Sequence, residues 1–229
     1  MIRKLKEVFC LMNIRKAVKS AIDKNDYNLL LDTYKEDSGQ VLRNLQLHVF
    51  GLVTEPTRWQ AIVFLGLLAR DFAKDDDLTY RNVIRRFIWQ MCEEGANVPW
   101  ASPEVVCSIL SNTGTQFDEF IGPVFFHASL NEINYAGMFW GMVQLGKERQ
   151  EKFKEKLDEK FFARLIYKDV YVRAYGAWAM TKMPMQEAKS YLENLLEDSS
   201  EVLLYEDCKM KTYKVCDLAK IALDRIMLL

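Results

Sequence analysis

The residues best suited to chemistry lie between positions 85 and 104, where tryptophans, glutamates and arginines surround a short linker. The linker, residues 95–99, reads Gly-Ala-Asn-Val-Pro, which predicts an interruption between two helices. Unpaired backbone groups at such a break, and tryptophan beside glutamate, suit the binding of a cationic or hydrogen-bonding group. The sequence therefore predicts that a binding site would centre on Trp89, Glu93, Glu94, Asn97, Trp100 and Glu104, with Arg86 and Trp140 nearby.

These residues also have a purely structural interpretation. The tryptophans would pack in the core, and the glutamates would cap helices or pair with arginines. Glu93 and Glu94 are adjacent, so on a helix they point about 100° apart and cannot form a facing catalytic pair alone. Such a pair would need Glu104 or another segment, and we predict no catalytic residue.

Motifs for metal binding or catalysis are missing from the sequence. His48 and His127 are far apart and lack HExxH spacing, and there is no GxSxG elbow, P-loop or GxGxxG. We therefore expect no metal and no cofactor, and a protein that is not an enzyme. The five cysteines are scattered without a CxxC pair, which predicts reduced thiols in a cytoplasmic protein.

Composition narrows the class of protein further. The chain has 229 residues, with 31 Lys and Arg against 32 Asp and Glu, and this net charge of −1 argues against nucleic acid as the partner. Only 15 residues are Gly or Pro, which argues against a turn-rich β-fold. The longest apolar run, residues 61–69, is too short to span a membrane. We expect a single domain over residues 1–229.

The elements that must position these residues are helices, because almost every segment has a 3.6-residue apolar period. Phe153, Leu157, Phe161 and Leu165 give the clearest example. The pattern predicts helices at 3–22, 25–36, 38–51, 56–73, 77–93, 103–112, 117–130, 134–147, 150–166, 169–182, 185–197 and 212–227. A small β-hairpin is predicted at 202–213, where two apolar runs flank a polar turn. The fold class is therefore all-α, with stacked antiparallel helix pairs.

An internal repeat supports this arrangement. Its best unit is Asp169-x-x-Val172-Arg173-x-x-Gly176-x-x-Ala179-Met180, and related spacings recur at 134–145 and 215–223. The small residues at the Gly176 position would let neighbouring helices approach closely. This pattern resembles the HEAT-like repeats of the phycobilisome-lyase type, and the resemblance implies an α-solenoid with a concave binding surface.

A smaller subgroup of uncharacterised bacterial and archaeal HEAT-like proteins is more similar still. Its pattern has two basic residues before a tryptophan, an acidic pair, Trp-x-x-Pro-Glu and a later Trp-Gly. The matching positions are Arg85, Arg86, Trp89, Glu93, Glu94, Trp100, Pro103, Glu104, Trp140 and Gly141. This resemblance implies a fold and carries no established activity.

Three functions are consistent with these observations. The first is a non-enzymatic scaffold that binds a protein or peptide on its concave face, which rests on the repeat and on the missing catalytic motifs. The second is a HEAT-like DNA glycosylase or another nucleic-acid-binding repair protein, which would need a basic concave face with aromatics and a carboxylate. The third, by analogy with the repeat type, is a lyase or chaperone for a tetrapyrrole. The sequence favours the first.

Overall fold

The chain folds mostly into helices, followed near its end by one β-hairpin. The computed structural model describes the backbone of residues 2–92 and 101–229, and the side chains of residues 13–92 and 101–229. The α-helices are α1 (Ile2–Lys24), α2 (Tyr27–Glu36), α3 (Ser38–His48), α4 (Pro56–Phe72), α5 (Asp77–Cys92), α6 (Ser102–Asn112), α7 (Ile121–Ala128), α8 (Tyr135–Leu145), α9 (Glu159–Ala163), α10 (Val170–Lys182), α11 (Lys189–Glu193) and α12 (Val215–Ile226). The strands are β1 (Glu201–Glu206) and β2 (Lys209–Lys214). No helix of the described residues is both long and apolar enough to cross a membrane.

Alternate helices form a row. Helices α4, α6, α8, α10 and α12 pack against one another in that order, whereas α5 and α7 pack together and onto α6. At the start of the chain, α1, α2 and α3 pack together and α3 lies against α4. The helices of the row therefore run side by side and present successive turns to a common face.

Small residues let the helices of this row approach closely, as the repeat predicted. A Cβ atom on Gly141 would lie 2.6 Å from the sulfur of Cys107 on α6, and one on Gly176 would lie 3.2 Å from the ring of Phe139 on α8. Gly66 of α4 is held in the same way against Ser108 of α6. Any larger side chain at these positions would push the helices apart.

The remaining residues of the repeat fix the start of α10. One carboxylate oxygen of Asp169 accepts hydrogen bonds from the backbone amides of Tyr171 at 2.8 Å and Val172 at 3.2 Å, which caps the helix. The Arg173 guanidinium donates to Asp198 at 2.7 Å. The residues of the repeat therefore have four structural roles: they cap the helix, fill the core, form an ion pair and allow a close helix contact.

The predicted helix over 150–166 is wrong. This segment consists of 3-10 turns at Lys147–Lys152 and Lys154–Lys156, then the short helix α9 and a further 3-10 turn. Asp158 accepts a hydrogen bond from the amide of Phe161 at 2.8 Å and so begins a new helix inside the predicted one. Phe153, Phe161 and Leu165 are buried nonetheless, because the turns keep them on one side of the segment. Similarly, the helix predicted over 185–197 shortens to a 3-10 turn and α11.

The predicted β-hairpin is confirmed. Its strands are antiparallel, and Glu206 pairs with Lys209 across a two-residue turn. Both turn residues, Asp207 and Cys208, have positive φ angles of 51° and 60°, the backbone that a two-residue hairpin turn requires. Strand β1 packs on α10 and buries Tyr205 against the helical row.

Candidate functional site

Two cavities lie along one face of the helical row. The first, which we call the Glu104 cavity, has a volume of about 370 Å³ and is formed by the N-terminal turns of four helices and by the segments that precede three of them. Its lining residues are Val53, Arg58, Glu104, Glu132, Ile133, Ala136, Gly137, Asp169, Tyr171, Val172 and Tyr175. Volumes of this size are typical of small-molecule sites.

The second cavity, the hairpin groove, lies one or two turns further along the same helices and has a volume of about 490 Å³. The turn of the β-hairpin forms its other side. Its lining residues are Val63, Leu67, Ser108, Asn112, Trp140, Val143, Gln144, Trp178, Lys182, Tyr205, Glu206, Asp207 and Cys208. The same four helices, α4, α6, α8 and α10, therefore contribute to both cavities.

A buried ion pair forms part of the lining of the Glu104 cavity. The Arg58 guanidinium donates a hydrogen bond to one carboxylate oxygen of Glu104 at 2.7 Å, and each side chain is only 4% exposed. Arg58 also lies over the ring of Trp59, with its Cζ atom 5.0 Å from the ring centre. The pair joins the first turn of α4 to the first turn of α6.

The other carboxylate oxygen of Glu104, Oε2, has no hydrogen-bond donor among the described residues. It lies against Gly137 of α8, where a Cβ atom would come within 2.2 Å of it, so the glycine makes room for this oxygen. Burial raises the pKa of Glu104 and outweighs the opposing effect of Arg58. A buried acceptor with no hydrogen-bond partner is costly, so this oxygen requires an explanation.

An aromatic cluster links the two cavities. The ring of Tyr205 stacks on Trp59 at 5.1 Å with an interplanar angle of 3°, and Trp140 and Tyr175 lie 5.4 Å and 5.9 Å from Trp59. The Tyr175 hydroxyl accepts a hydrogen bond from the backbone amide of Tyr205 at 3.2 Å. The hairpin is thereby fixed onto the face of the row, and Tyr175 faces one cavity while Trp140 faces the other.

In the hairpin groove, Glu206 is the buried carboxylate, and its oxygens are well supplied with donors. Trp178 donates at 3.0 Å, Lys182 lies at 2.5 Å, Lys211 donates at 3.1 Å, and the Tyr213 hydroxyl also donates. Burial raises the pKa of Glu206, but these hydrogen bonds outweigh burial and hold the pKa far below its usual range. The charge of Glu206 is therefore satisfied within the protein.

The predicted site residues that the structure describes lie on α5, α6 and α8. Glu104 lines the Glu104 cavity, whereas Trp140 lines the hairpin groove. Arg86 donates to the side-chain oxygen of Gln46 at 3.0 Å on another part of the surface, and Trp89 is 61% exposed on α5. Glu93, Glu94, Asn97 and Trp100 lie outside the described residues. That these residues form one site stays a prediction.

Sequence reasoning missed Arg58 and the tyrosines of the two cavities. Arg58 is the only charged residue between Glu55 and Arg70, in a helix that is buried on nearly every side. A buried arginine requires a buried acid, so this lone charge could have pointed to a partner such as Glu104. Tyr175 and Tyr205 carry no comparable signal, because their meeting depends on where the hairpin lies.

One cysteine lies beside a histidine although the two are distant in the sequence. The Sγ atom of Cys92 is 3.1 Å from Nδ1 of His127, and it also contacts the carbonyl oxygen of Ile88. Burial raises the pKa of the Cys92 thiol, so the pair does not favour the nucleophilic thiolate. No group of three or more potential metal ligands is found among the described residues.

The chain matches no protein-family model, and no curated protein is similar to it in sequence.

Proposed function

We propose that this chain is a non-enzymatic, HEAT-like helical-repeat scaffold that binds a peptide segment of a partner protein in the hairpin groove. The observation that carries the proposal is that the groove crosses four successive helices, α4, α6, α8 and α10. In a HEAT-like stack this face would be the concave one, where such proteins bind extended partners. The order of packing in the row and the repeat-spaced close contacts support the stack.

The side chains of the groove suit an extended peptide. Its walls include the half-buried apolar residues Val63, Leu67 and Val143, which would take apolar side chains of the partner. Gln144 makes no side-chain hydrogen bond among the described residues, and its amide offers both a donor and an acceptor. A peptide backbone needs this combination, since each residue brings one N–H and one C=O group.

The charges of the two cavities do not support DNA as the ligand. In the groove, Lys182 pairs with Glu206 at 2.5 Å, and Asp207 lies beside it. The Glu104 cavity has more carboxylates than cations among its described lining residues. A nucleic-acid site requires unpaired Lys or Arg side chains for the phosphates, so we place a DNA glycosylase second.

The proposal can be tested by selecting random peptides of about a dozen residues displayed on phage against the intact chain. Enriched peptides should bind with micromolar affinity, and Val143→Arg should weaken them by about tenfold or more, equivalent to about 1.4 kcal/mol. The arginine would fill the groove with a long charged side chain. Fluorescence polarisation with labelled peptides gives the affinities.

Ile166→Arg is the matched control, because Ile166 is exposed and lines neither cavity. This variant should bind the selected peptides as the wild type does. Peptides that bind Val143→Arg and wild type equally well would contradict the proposal, as would a selection that enriches none.

A further inference from the structure

We propose that the Glu104 cavity binds a small organic ammonium ion, with its charged group at the second oxygen of Glu104 and its apolar body along the cavity walls. This site is separate from the hairpin groove, so the inference does not rest on the peptide function. It assigns a ligand class to a cavity that the peptide would leave unused.

An unsatisfied hydrogen-bond acceptor on Glu104 supports a ligand with an N–H group. Glu104 is 3% exposed, and its Oε2 atom has no donor among the described residues, whereas the other oxygen is taken by Arg58. Oε2 lies against Gly137, whose lack of a Cβ atom leaves room for the carboxylate beside the cavity that both residues line. A ligand N–H group would supply the missing hydrogen bond, and a charged N–H group makes the stronger one.

The charge of the cavity lining supports a cation over an anion. Its described lining contains three carboxylates, on Glu104, Glu132 and Asp169, against one guanidinium, on Arg58. Glu132 pairs with Lys168 at 3.3 Å, and both side chains are more than half exposed, so solvent screens both charges and the buried Glu104 and the nearby Asp169 count for more. An anion would meet a net negative lining, whereas a cation is attracted to it.

The apolar and aromatic walls of the cavity support an organic ligand. Most of the lining apart from the charged groups is apolar or aromatic: Val53, Ile133, Ala136, Val172, Tyr171 and Tyr175. Tyrosine faces attract ammonium groups, and apolar walls favour a ligand with a hydrocarbon body over a hydrated metal ion. A volume of about 370 Å³ accommodates a single-ring amine.

The test compares three probes of the same shape on the intact wild-type chain: benzylammonium, benzyl alcohol and benzoate. Calorimetry or ligand-observed NMR at pH 7 should show saturable binding of benzylammonium, with benzyl alcohol weaker by about tenfold or more because a charge-assisted hydrogen bond is about twice as strong as a neutral one. Benzoate should not bind. Equal binding of alcohol and amine would overturn the assignment, as would failure of the amine to bind.

Two variants locate the binding. Ala136→Phe fills the cavity from a half-buried position and leaves the residues of the Arg58–Glu104 pair unchanged, and it should abolish benzylammonium binding. Glu104→Gln keeps the shape and removes the charge, so a variant that still melts cooperatively should bind the amine about tenfold less tightly. Glu193→Gln removes an exposed carboxylate that lines neither cavity and should bind as the wild type does. Unchanged binding in Ala136→Phe would place the amine elsewhere and overturn the proposal.

A fourth probe identifies the natural source of the ammonium group. Nα-acetyl-lysine methylamide carries the same charge on a peptide-like body. Tighter binding of this probe than of benzylammonium would assign the cavity to a lysine side chain of a partner, and the reverse order would assign it to a free amine. Either order supports a cation site.

Discussion

The two cavities each contain a buried glutamate, yet the protein treats these carboxylates in opposite ways. Glu206 receives hydrogen bonds or ion pairs from Trp178, Lys182, Lys211 and Tyr213. Glu104 is bonded to Arg58 through one oxygen, and its other oxygen has no donor among the described residues. Their pKa values move accordingly, that of Glu206 downward and that of Glu104 upward.

This difference separates a structural charge from one that can serve a ligand. The donors of Glu206 come from α10 and β2, so the carboxylate fastens the hairpin to the helical row and has little capacity left. Among the described residues, the hydrogen bond of Glu104 to Arg58 joins α6 to α4, and its other oxygen is left without a donor beside a largely apolar cavity. Satisfied buried polar groups specify a fold, whereas an unsatisfied one requires a further explanation.

The largest effect is expected from breaking the pair at the Glu104 cavity. Arg58→Ala would leave the Glu104 carboxylate buried without its guanidinium, and loss of one member of a buried pair costs about 3–5 kcal/mol. Urea unfolding followed by circular dichroism measures the loss. The double variant Arg58→Met, Glu104→Met removes both charges and should recover most of the stability. A double variant as unstable as Arg58→Ala would show that the ion pair is not the cause.

A smaller loss is expected at the hairpin groove. Glu206→Gln keeps the shape but weakens several charge-assisted hydrogen bonds, which should cost about 2–3 kcal/mol in the same unfolding experiment. Glu201→Gln is the matched control on the same strand, because its carboxylate is exposed and its nearest cation, Lys214, lies at 3.8 Å. This control should change stability by less than about 0.5 kcal/mol. If Glu206→Gln were as stable as Glu201→Gln, the result would contradict a structural role for Glu206.

The next largest change in stability is expected where α4 and α6 contact each other beneath the hairpin groove. Gly66→Ala would place a Cβ atom 2.7 Å from the backbone oxygen of Ser108, so we expect a loss of about 1–2 kcal/mol from overpacking. Gly122→Ala, in α7, meets nothing within 4 Å and should instead gain about 0.5–1 kcal/mol. Thermal unfolding of both variants checks the opposite signs. Equal shifts would mean that the close approach of α4 and α6 is not set by this glycine.

The sequence predicted helix and hairpin content well because those signals are local. The Asp169 cap, the small residue at Gly176 and the two strand segments each act over a few neighbours, and the structure places them as expected. The helix predicted over 150–166 was wrong because a period of apolar residues does not distinguish one helix from successive tight turns. Buried phenylalanines satisfy either arrangement.

The candidate sites were harder to predict because they depend on contacts between distant segments. Arg58 and Glu104 are 46 positions apart, and although Arg58 is the lone charge in its helix, no local pattern says which acid pairs with it. Trp140 was grouped with Glu104, yet it faces the hairpin groove, since one helical turn carries it past the Glu104 cavity. The hairpin groove depends on where the hairpin lies, and the stacking of Tyr205 on Trp59 is one of the contacts that place it there.

The smallest and most discriminating effect is the pH dependence of the stability that the two glutamates contribute. It is small because pH changes only the part of each contribution that is linked to protonation. For Glu206, whose folded pKa lies below that of the unfolded chain, the unfolded state binds more protons in acid. Its stabilising contribution is therefore complete above about pH 4.3, the ordinary value for glutamate, and is lost as the pH falls. Glu104 has the opposite sign. Its folded pKa is raised, so its contribution is greatest below about pH 4.3 and decreases as the pH rises.

Urea unfolding of wild type, Glu206→Gln and Glu104→Gln from pH 6 to pH 3 separates the two signs. As the pH falls, the stability of Glu206→Gln should approach that of the wild type, whereas Glu104→Gln should fall further behind it. Glu201→Gln should run parallel to the wild type over the same range, because its carboxylate is exposed. If both differences moved in the same direction, the two carboxylates would share one environment, and the unsatisfied oxygen of Glu104 would no longer distinguish its cavity from the hairpin groove.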